Sequence, residues 1–295
     1  MFDLNSYLLS KRKIINEYIE RILNSSSEST PIVSAMKYSL MAGGKRLRPI
    51  LCMSAAEAVG EKSDIILPVA CALEMIHTYS LIHDDLPSMD NDNMRRGKPT
   101  SHINFDESTA ILAGDALLTL AFKILSSSEI KNNDYKNMLK ISGIIADAAG
   151  YKGMIEGQML DISSEGKVLS IEELGKMHYL KTGALIEASI YSGAIIGGGT
   201  NEQVESLRIY AGKIGLAFQV ADDILNVDGD PEVMGKAVGS DINRNKSTYP
   251  SVIGLEKSKK IAEDLVYSAL KAIDTFDNKA EPLRLIARYI IERDK

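Results

Sequence analysis

Residues 73–90 read LEMIHTYSLIHDDLPSMD, an apolar stretch that ends in two adjacent aspartates. His77 and Asp84 are spaced by about two helical turns, which places both on one face of a helix. Pro87 disfavours helical geometry at the residue before it, so we expect the helix to end there and the following turn to bring Asp90 back. Adjacent carboxylates at a helix C-terminus oppose the macrodipole unless a cation accompanies them. We therefore interpret this stretch as a cation-binding helix end rather than a solvated acidic one.

A second acidic group lies far along the chain at Asp222 and Asp223. Together with Gln219 and Asn226 it forms one polar stripe on an otherwise apolar predicted helix. Such a stripe either faces water or lines a cavity, and the presence of the first acidic group favours the cavity. Mg²⁺ binds through a few carboxylates while substrate phosphates complete its shell. The two groups together indicate metal-dependent chemistry on a phosphorylated substrate.

Basic residues accompany both acidic groups, and a further basic run follows two glycines. Glycine lets a backbone approach a ligand closely, and lysine and arginine suit phosphate oxygens. The run Gly43-Gly44-Lys45-Arg46-Leu47-Arg48-Pro49 is thus either a phosphate-binding loop or a solvated one, and it lacks the spacing of a Walker motif. The cations that follow the acidic groups are Arg95, Arg96, Lys98, Lys236 and Lys246.

The composition is that of a globular protein with a sizeable core, since 45% of the 295 residues are hydrophobic and 25% are charged. A net charge of −6 argues against a nucleic-acid partner bound through a basic face. Cys52 and Cys71 are too few for a disulfide framework, which favours a reduced, cytoplasmic setting. We expect no secretory signal and no membrane span, because the apolar runs are too short for either.

Apolar residues recur with helical spacing along most of the chain, and the alternation typical of strands is missing. We therefore predict an all-α bundle in a single domain, residues 1–295, in which both acidic groups converge on one site. His83, His102 and His178 are expected to pack or face solvent. Beyond a first helix ending near 23 and a second starting at Pro31, helices are expected near 48–59, 64–86, 106–127, 134–151, 171–197, 201–228, 256–275 and 280–292.

Five motifs, in the same order, closely resemble those of the trans-isoprenyl diphosphate synthases. The similarity runs from about residue 30 to Arg293, and the motifs are specific enough to exclude chance. They lie at Gly43–Pro49, at Leu73–Thr100, at Lys181-Thr182-Gly183, at Phe218–Leu225 and at Lys246-Ser247-Thr248-Tyr249-Pro250.

The resemblance implies an all-α fold of the isoprenoid synthase type around a deep central cavity, with the two aspartate motifs facing each other at its mouth. It implies head-to-tail condensation of isopentenyl diphosphate with dimethylallyl and geranyl diphosphate to give farnesyl diphosphate. It further implies three Mg²⁺ ions in the substrate complex and a homodimer.

The resemblance also assigns roles to residues of this chain. The Mg²⁺ ligands would be Asp84, Asp85, Asp90, Asp222 and Asp223. The allylic diphosphate would be held by Arg95, Lys181, Lys236 and Lys246, and isopentenyl diphosphate by Lys45, Arg48, His77 and Arg96. Thr182 and Gln219 would direct oxygen dipoles at the reacting allyl group, so Lys181, Thr182 and Gln219 form the catalytic set.

Two further positions concern the product and the metal. Tyr79, with its neighbour Ser80, lies about 7–8 Å down the predicted helix from Asp84. In similar enzymes a bulky aromatic at this position closes the pocket and stops growth at farnesyl diphosphate, although Tyr79 would also suit an ordinary core position. Most relatives carry Asp where this chain has Asn226, so one unit of negative charge is missing from the second motif.

Three alternatives to a farnesyl diphosphate synthase stay open at this point. A geranylgeranyl diphosphate synthase differs in product length, and the residue at Tyr79 argues against it. A non-catalytic subunit of a heteromeric prenyltransferase would typically have lost several aspartates and arginines, whereas only Asn226 departs here. A terpene cyclase would share the first acidic motif but would not need Lys45, Arg48 and Arg96 for a second diphosphate.

Overall fold

The computed structural model describes residues 2–24, 30–60, 63–127, 135–228 and 246–292, and within these ranges α-helices form nearly all of the regular structure. The all-α prediction is confirmed. The helices are α1 (Leu4–Asn24), α2 (Pro31–Leu40), α3 (Leu47–Ala58), α4 (Ile66–Asp84), α5 (Ser101–Asn104), α6 (Glu107–Leu125), α7 (Tyr135–Ala149), α8 (Met154–Ser163), α9 (Ile171–His178), α10 (Ala184–Ile196), α11 (Asn201–Asp228), α12 (Tyr249–Ile253), α13 (Leu255–Ala272) and α14 (Glu281–Glu292).

Local sequence accounts for several helix starts. Thr30 caps α2 through its hydroxyl, and Pro31 occupies the first turn, where its missing N–H costs nothing. Asp106 caps α6 by accepting from the backbone N–H of Thr109. Ser170 and Glu173 form a reciprocal capping box at the start of α9.

The structure departs from the predicted elements at helices α5, α8 and α12, at a π-helical turn and at a hairpin. Helix α8 lies in a segment for which no helix was predicted, and the predicted helix 171–197 is interrupted by a π-helical turn at Tyr179–Gly183. A short antiparallel hairpin joins β1 (Met94–Arg95) to β2 (Lys98–Pro99), although no strand was predicted. Arg96 and Gly97 both have positive φ, 54° and 73°, which suits the tight turn of such a hairpin.

The chain divides into two compact units, which are described separately. Unit 1 comprises Asp3–Met53 and Ser63–Ser142, and unit 2 comprises Ser54–Lys62 and Gly143–Lys295. The prediction of a single domain over residues 1–295 stays a prediction.

Unit 1 is built around α4, whose residues from Val69 to Ile76 are all buried. Helix α6 packs along α4, and small residues of α6, including Ala110 and Ala113, are buried there. Helix α4 ends at Asp84, so this buried helix leads directly into the first acidic motif.

Unit 2 is built around α11, which packs against α10 and α13. Tyr210 is fully buried near the middle of α11, and its hydroxyl donates to the backbone oxygen of Leu283. A buried cluster that includes Leu174, Met177 and Val220 involves the same stretch of α11 as the second acidic motif, since Val220 lies two residues before Asp222. The second motif therefore also lies on the central helix of its unit.

By length and composition alone, α4 and α6 would each be apolar enough to cross a membrane. Helix α4 is largely buried, as a core helix should be, whereas only a third of α6 is buried. The expectation of no membrane span stays a prediction. Cys52 and Cys71 are both buried free thiols.

Candidate active site

The first acidic motif closes α4 as the sequence indicates. The helix ends at Asp84, and the backbone N–H of Asp90 donates to the backbone oxygen of Asp84 at 2.8 Å. This bond confirms that the turn brings Asp90 back to the helix end. Asp85 is buried, whereas Asp84 and Asp90 are partly exposed. Three carboxylates thus belong to one tight turn in unit 1.

Arg95 binds the buried carboxylate of this motif. Its Nε lies 2.8 Å from both oxygens of Asp85, and its Nη2 lies 2.5 Å from Oδ1. Burial lowers the pKa of Arg95, but hydrogen bonding and attraction by Asp85 outweigh it and the net direction is upward. The β1–β2 hairpin therefore fixes one cation on the motif itself.

The cations of the basic run after the two glycines differ in their burial. Arg46 is buried, and its Nη1 lies 2.7 Å from Oε1 of Glu74 in an ion pair with both side chains 1% exposed. Arg46 also donates to Leu40 O and, at 3.0 Å, to Asn16 Oδ1. Arg46 is therefore neither solvated nor part of the predicted diphosphate site, for which only Lys45 and Arg48 of this run were named, and it holds the loop to α4.

The other cations of this run lie in a basic environment. Lys45 is exposed and Arg48 is partly buried. Burial, followed by the positive charges of Arg48 and Arg96, holds the pKa of His77 well below its usual range. His77 is consequently neutral at pH 7, and it can offer an N–H to a phosphate oxygen without being a cation.

Gly44 explains why glycine is required in this loop. Its φ of 112° lies in the region that side chains avoid, and a Cβ at this position would overlap the guanidinium of Arg96. Nη1 of Arg96 in turn donates to the backbone oxygen of Gly43 at 2.5 Å. The Arg96 guanidinium of the hairpin thus packs against the Gly43-Gly44 pair.

Tyr79 is buried on α4, one residue more than a turn before Asp84. Its ring meets the edge of His83 at a centroid distance of 5.7 Å. Nε2 of His83 lies 3.0 Å from the backbone oxygen of Ile111 on α6. Burial and the charge of Asp84 raise the pKa of Tyr79. Ser80 donates within the helix to His77 O at 2.8 Å, so its hydroxyl is used locally.

The second acidic motif is buried on α11 in unit 2. Oδ2 of Asp223 lies 3.0 Å from Nε2 of His178 and accepts from the backbone N–H of Tyr249 at 2.9 Å. The His178 and Tyr249 rings stack at 5.8 Å. Asp222 is partly buried on the same helix, as are Gln219 and Asn226. The prediction that this stripe is not simply solvated is supported by the burial of Asp223.

Two predicted phosphate-binding lysines come together in unit 2. Nζ of Lys181 lies 2.6 Å, and Nζ of Lys246 2.8 Å, from the same oxygen, Oδ2 of Asp161 on α8. Burial alone would raise the pKa of Asp161, but the two lysines outweigh it and the pKa is lowered. Thr182 is buried in the π-helical turn. Such turns recur at functional sites.

Sequence reasoning missed three residues of these clusters. Glu74 is an acid within an apolar helix, and that isolation was the available signal. His178 precedes Lys181 by one helical turn and was expected to pack or face solvent. Asp161 lies in α8, which was not predicted as a helix. Lys236 falls outside the described residues, and its assignment stays a prediction.

The donor chemistry of both motifs fits Mg²⁺. The side chains are carboxylates, which supply the hard oxygen ligands that this ion prefers. Across the described ranges, no three His, Cys, Asp or Glu side chains already form a metal-binding group.

Comparisons with known proteins agree with these features. A family model described as polyprenyl synthetase matches residues 29–283. The chain is 46% identical to a geranylgeranyl diphosphate synthase of Cyanophora paradoxa, covering 99% of this chain and 97% of that protein. It is 45% identical to a farnesyl diphosphate synthase of Micrococcus luteus, covering 99% and 100%. A geranylgeranyl pyrophosphate synthetase structure from Pyrococcus horikoshii superposes with a TM-score of 0.89 at 32% identity, covering 98% of each chain.

An all-α fold with acidic motifs and phosphate-suited cations defines a prenyltransferase of the isoprenyl synthase type. The chain belongs to the polyprenyl synthetase family. This confirms the resemblance drawn from the motifs. The roles of individual residues, and the facing of the two motifs across one cavity, stay predictions.

Proposed function

We propose that this chain is a Mg²⁺-dependent farnesyl diphosphate synthase. It would join isopentenyl diphosphate head-to-tail to dimethylallyl diphosphate, and then to geranyl diphosphate, releasing one diphosphate at each step. The observation that carries the farnesyl assignment is the buried Tyr79 ring, which lies below Asp84 on α4 and against His83. A bulky ring at this depth would close the pocket after three isoprene units.

A geranylgeranyl diphosphate synthase is the second candidate. The Cyanophora paradoxa relative carries that name at 46% identity, about the same as the farnesyl diphosphate synthase relative. Identity therefore does not separate the two products. The distinction rests on Tyr79, since a small residue there would leave room for a longer chain.

In the proposed reaction, unit 1 holds isopentenyl diphosphate. Lys45, Arg48 and Arg96 supply positive charge, and neutral His77 supplies a hydrogen bond. Arginine matches phosphate in a bidentate fashion, whereas lysine acts as a compact charge. Holding this diphosphate firmly would place the double bond of the substrate where it can attack.

The allylic substrate would be held by the aspartate motifs through Mg²⁺ and by Arg95, Lys181 and Lys246. Bound Mg²⁺ supplies charge neutralisation to the leaving diphosphate. The lysines would stabilise the negative charge that grows as the allylic C–O bond breaks, an effect of preorganised electrostatics. Thr182 and Gln219 would turn their oxygens toward the carbocation.

The bond changes balance without a side-chain base. The allylic C–O bond breaks, the isopentenyl double bond forms the new C–C bond, and the resulting cation loses one proton to the departed diphosphate. Water must be excluded, because it would capture the carbocation.

The direct test is a product assay. Purified protein with Mg²⁺, isopentenyl diphosphate and dimethylallyl diphosphate should yield mainly C15 prenyl alcohol after phosphatase treatment. A C20 product would favour the second candidate. Absence of any prenyl product, with or without added partner proteins, would overturn the proposal, whereas activity only with a partner would support the subunit alternative.

The chain-length role of Tyr79 is tested by Tyr79→Ala. We expect products longer than C15, because the ring that closes the pocket is removed. Tyr267→Ala is the matched control, since Tyr267 is 68% exposed on α13. An unchanged product profile in Tyr79→Ala would refute the role of this ring.

The same proposal includes a homodimer, a single cooperative domain and a cytoplasmic location. Helix α6 exposes Ile111 and Leu112, 43% and 56% respectively, and a second copy would cover this apolar face. Leu112→Glu should convert a dimer seen by light scattering into a monomer, and wild-type protein that is already monomeric would contradict the dimer.

One calorimetric unfolding transition would support a single domain, and cell fractionation tests the location.

A further inference from the structure

Asp161 lies outside every motif that the sequence singled out, yet two of the proposed diphosphate ligands bind it. Nζ of Lys181 and Nζ of Lys246 lie 2.6 and 2.8 Å from one of its oxygens. The Asp161 side chain is 7% exposed, whereas those of Lys181 and Lys246 are 25% and 13% exposed. The carboxylate is therefore enclosed, and both ammonium groups are partly open.

The surrounding backbone brings these groups together. Gly157, one turn before Asp161 on α8, is so close to the π-helical turn that any Cβ would overlap the backbone at Lys181. On the other side, the hydroxyl of Ser247 accepts from Leu169 N at 3.1 Å and donates to Lys167 O at 3.0 Å. These contacts fix the backbone from which each lysine side chain starts.

Two ammonium groups meet at the enclosed carboxylate of Asp161. Two ammonium groups on a single carboxylate oxygen are separated by no more than the sum of their two distances to it, and they repel each other. The charge of Asp161 offsets that repulsion, and a second, exposed carboxylate, Oε1 of Glu165, lies 3.9 Å from Nζ of Lys246. An ammonium group has three N–H donors, and the bond to Asp161 uses one of them on each lysine.

We infer that Asp161 is a positioning residue that holds Lys181 and Lys246 side by side, ready for the diphosphate of the allylic substrate. The inference rests on the proposed function, because it assigns both lysines to that diphosphate. Asp161 itself does not contact substrate in this account. It acts by keeping the two ammonium groups bound to one oxygen, and therefore close enough together to meet the same diphosphate.

The test is the kinetics of Asp161→Asn, which keeps the shape of the side chain and removes its charge. We expect kcat to fall roughly 10–100-fold, the size usual for loss of a group that orients a ligand-binding side chain. The KM for isopentenyl diphosphate should stay within about threefold, since that substrate is assigned to other residues. Asp147→Asn is the matched control, because Asp147 is exposed in the same unit.

A second pair of variants separates positioning from general structure. In a Lys246→Met background the repulsion is gone, so adding Asp161→Asn should reduce kcat by less than about fivefold. Asp161→Glu should recover part of the activity lost in Asp161→Asn, because it restores the charge. If Asp161→Asn fails to fold, the Asp161→Glu variant and the double variant carry the test.

The outcomes separate a failure of the proposed function from a failure of the role given to Asp161. A wild-type protein that makes no prenyl diphosphate contradicts the proposed function. An active wild type together with an Asp161→Asn variant whose kcat lies within threefold of it overturns the inference alone. Equal losses of Asp161→Asn in the two backgrounds, or equal rises in the KM of both substrates, would likewise overturn it.

Discussion

The two units hold their cations in different ways. In unit 1 the acids that bind the arginines are a buried glutamate on α4 and an aspartate of the first acidic motif. In unit 2 the acid that binds the lysines lies outside the second acidic motif. Arg46 binds Glu74 in a pair that is 1% exposed on both sides, and Arg95 binds the motif residue Asp85. In unit 2, Lys181 and Lys246 bind Asp161 at a site where both ammonium groups stay partly open.

The contrast shows that similar ion pairs can serve different purposes. Removing one partner of an enclosed pair leaves a buried charge without compensation, so the cost falls on folding. In the Asp161 cluster the carboxylate is enclosed but the ammonium groups are partly open, so removing the carboxylate charge leaves two cations that water can still reach. We therefore expect substitutions in the Arg46–Glu74 pair to change stability and those around Asp161 to change turnover.

The largest expected effect is on stability. Glu74→Ala should lower the free energy of unfolding by about 3–5 kcal/mol, because Arg46 stays buried without its carboxylate. Denaturant unfolding followed by circular dichroism measures this loss. Glu263→Ala, at an exposed position on α13 where Oε2 lies 3.9 Å from Lys260 Nζ, serves as the control and should change stability by less than about 1 kcal/mol. Similar midpoints for the two variants would break the distinction between enclosed and open pairs.

The next effect is on turnover at the first motif. Asp84→Asn should lower kcat by about 10²–10³-fold, the loss typical of removing one preorganised electrostatic group, while stability changes little. Steady-state kinetics at saturating Mg²⁺ and both substrates provides the measurement. Asp92→Asn is the matched control, because Asp92 lies in the same turn region, 3.8 Å from Arg95, and is not a motif residue. A comparable loss in both variants would mean that charge near Arg95, rather than the motif, governs turnover.

Acidification offers a third way to separate the two regions, because His77 lies in the basic environment of unit 1. Its pKa is lowered by burial and then by Arg48 and Arg96, so the folded state resists protonation. As the pH falls below about 6.5, the unfolded chain binds a proton at this residue while the folded chain does not, and stability is lost. The slope from His77 alone reaches at most about 1.4 kcal/mol per pH unit.

This dependence is checked with His77→Gln. Urea unfolding between pH 8 and 5 should show a shallower loss of stability in the variant than in wild type below pH 6.5, and parallel behaviour above pH 7. Equal slopes throughout the range would show that His77 is readily protonated in the folded protein, and the hydrogen-bonding role given to its neutral form would then fail.

Much of this arrangement could be predicted from the sequence because it depends on local pattern. Helical spacing gave α4 and α11 and placed the aspartates on them, and Pro87 marked the end of α4. Residue type indicated carboxylates for metal and cations for phosphate. These features need only neighbours within a turn or two along the chain.

What escaped prediction depends on contacts between distant segments. The burial of Arg46, in the loop before α3, depends on Glu74 of α4, and no local spacing links the two. Asp161 and Lys246 are 85 residues apart along the chain. The π-helical turn at Tyr179–Gly183 accompanies the close approach of α8 at Gly157, which periodicity within 171–197 does not reveal. Tertiary packing, rather than local propensity, settles such features.

The smallest expected effect concerns Asn226, where the second motif departs from the pattern of similar enzymes. Asp223 already accepts from His178 and from the backbone of Tyr249, so the buried part of this motif is built without a third carboxylate. Asn226→Asp should therefore raise kcat by less than about tenfold, in line with the 1–2 kcal/mol of a strengthened charged hydrogen bond. The rate as a function of Mg²⁺ concentration provides the measurement, with Asn201→Asp at the start of α11 as the control. An increase above a hundredfold would show that position 226 binds metal directly, and that the missing charge limits this protein.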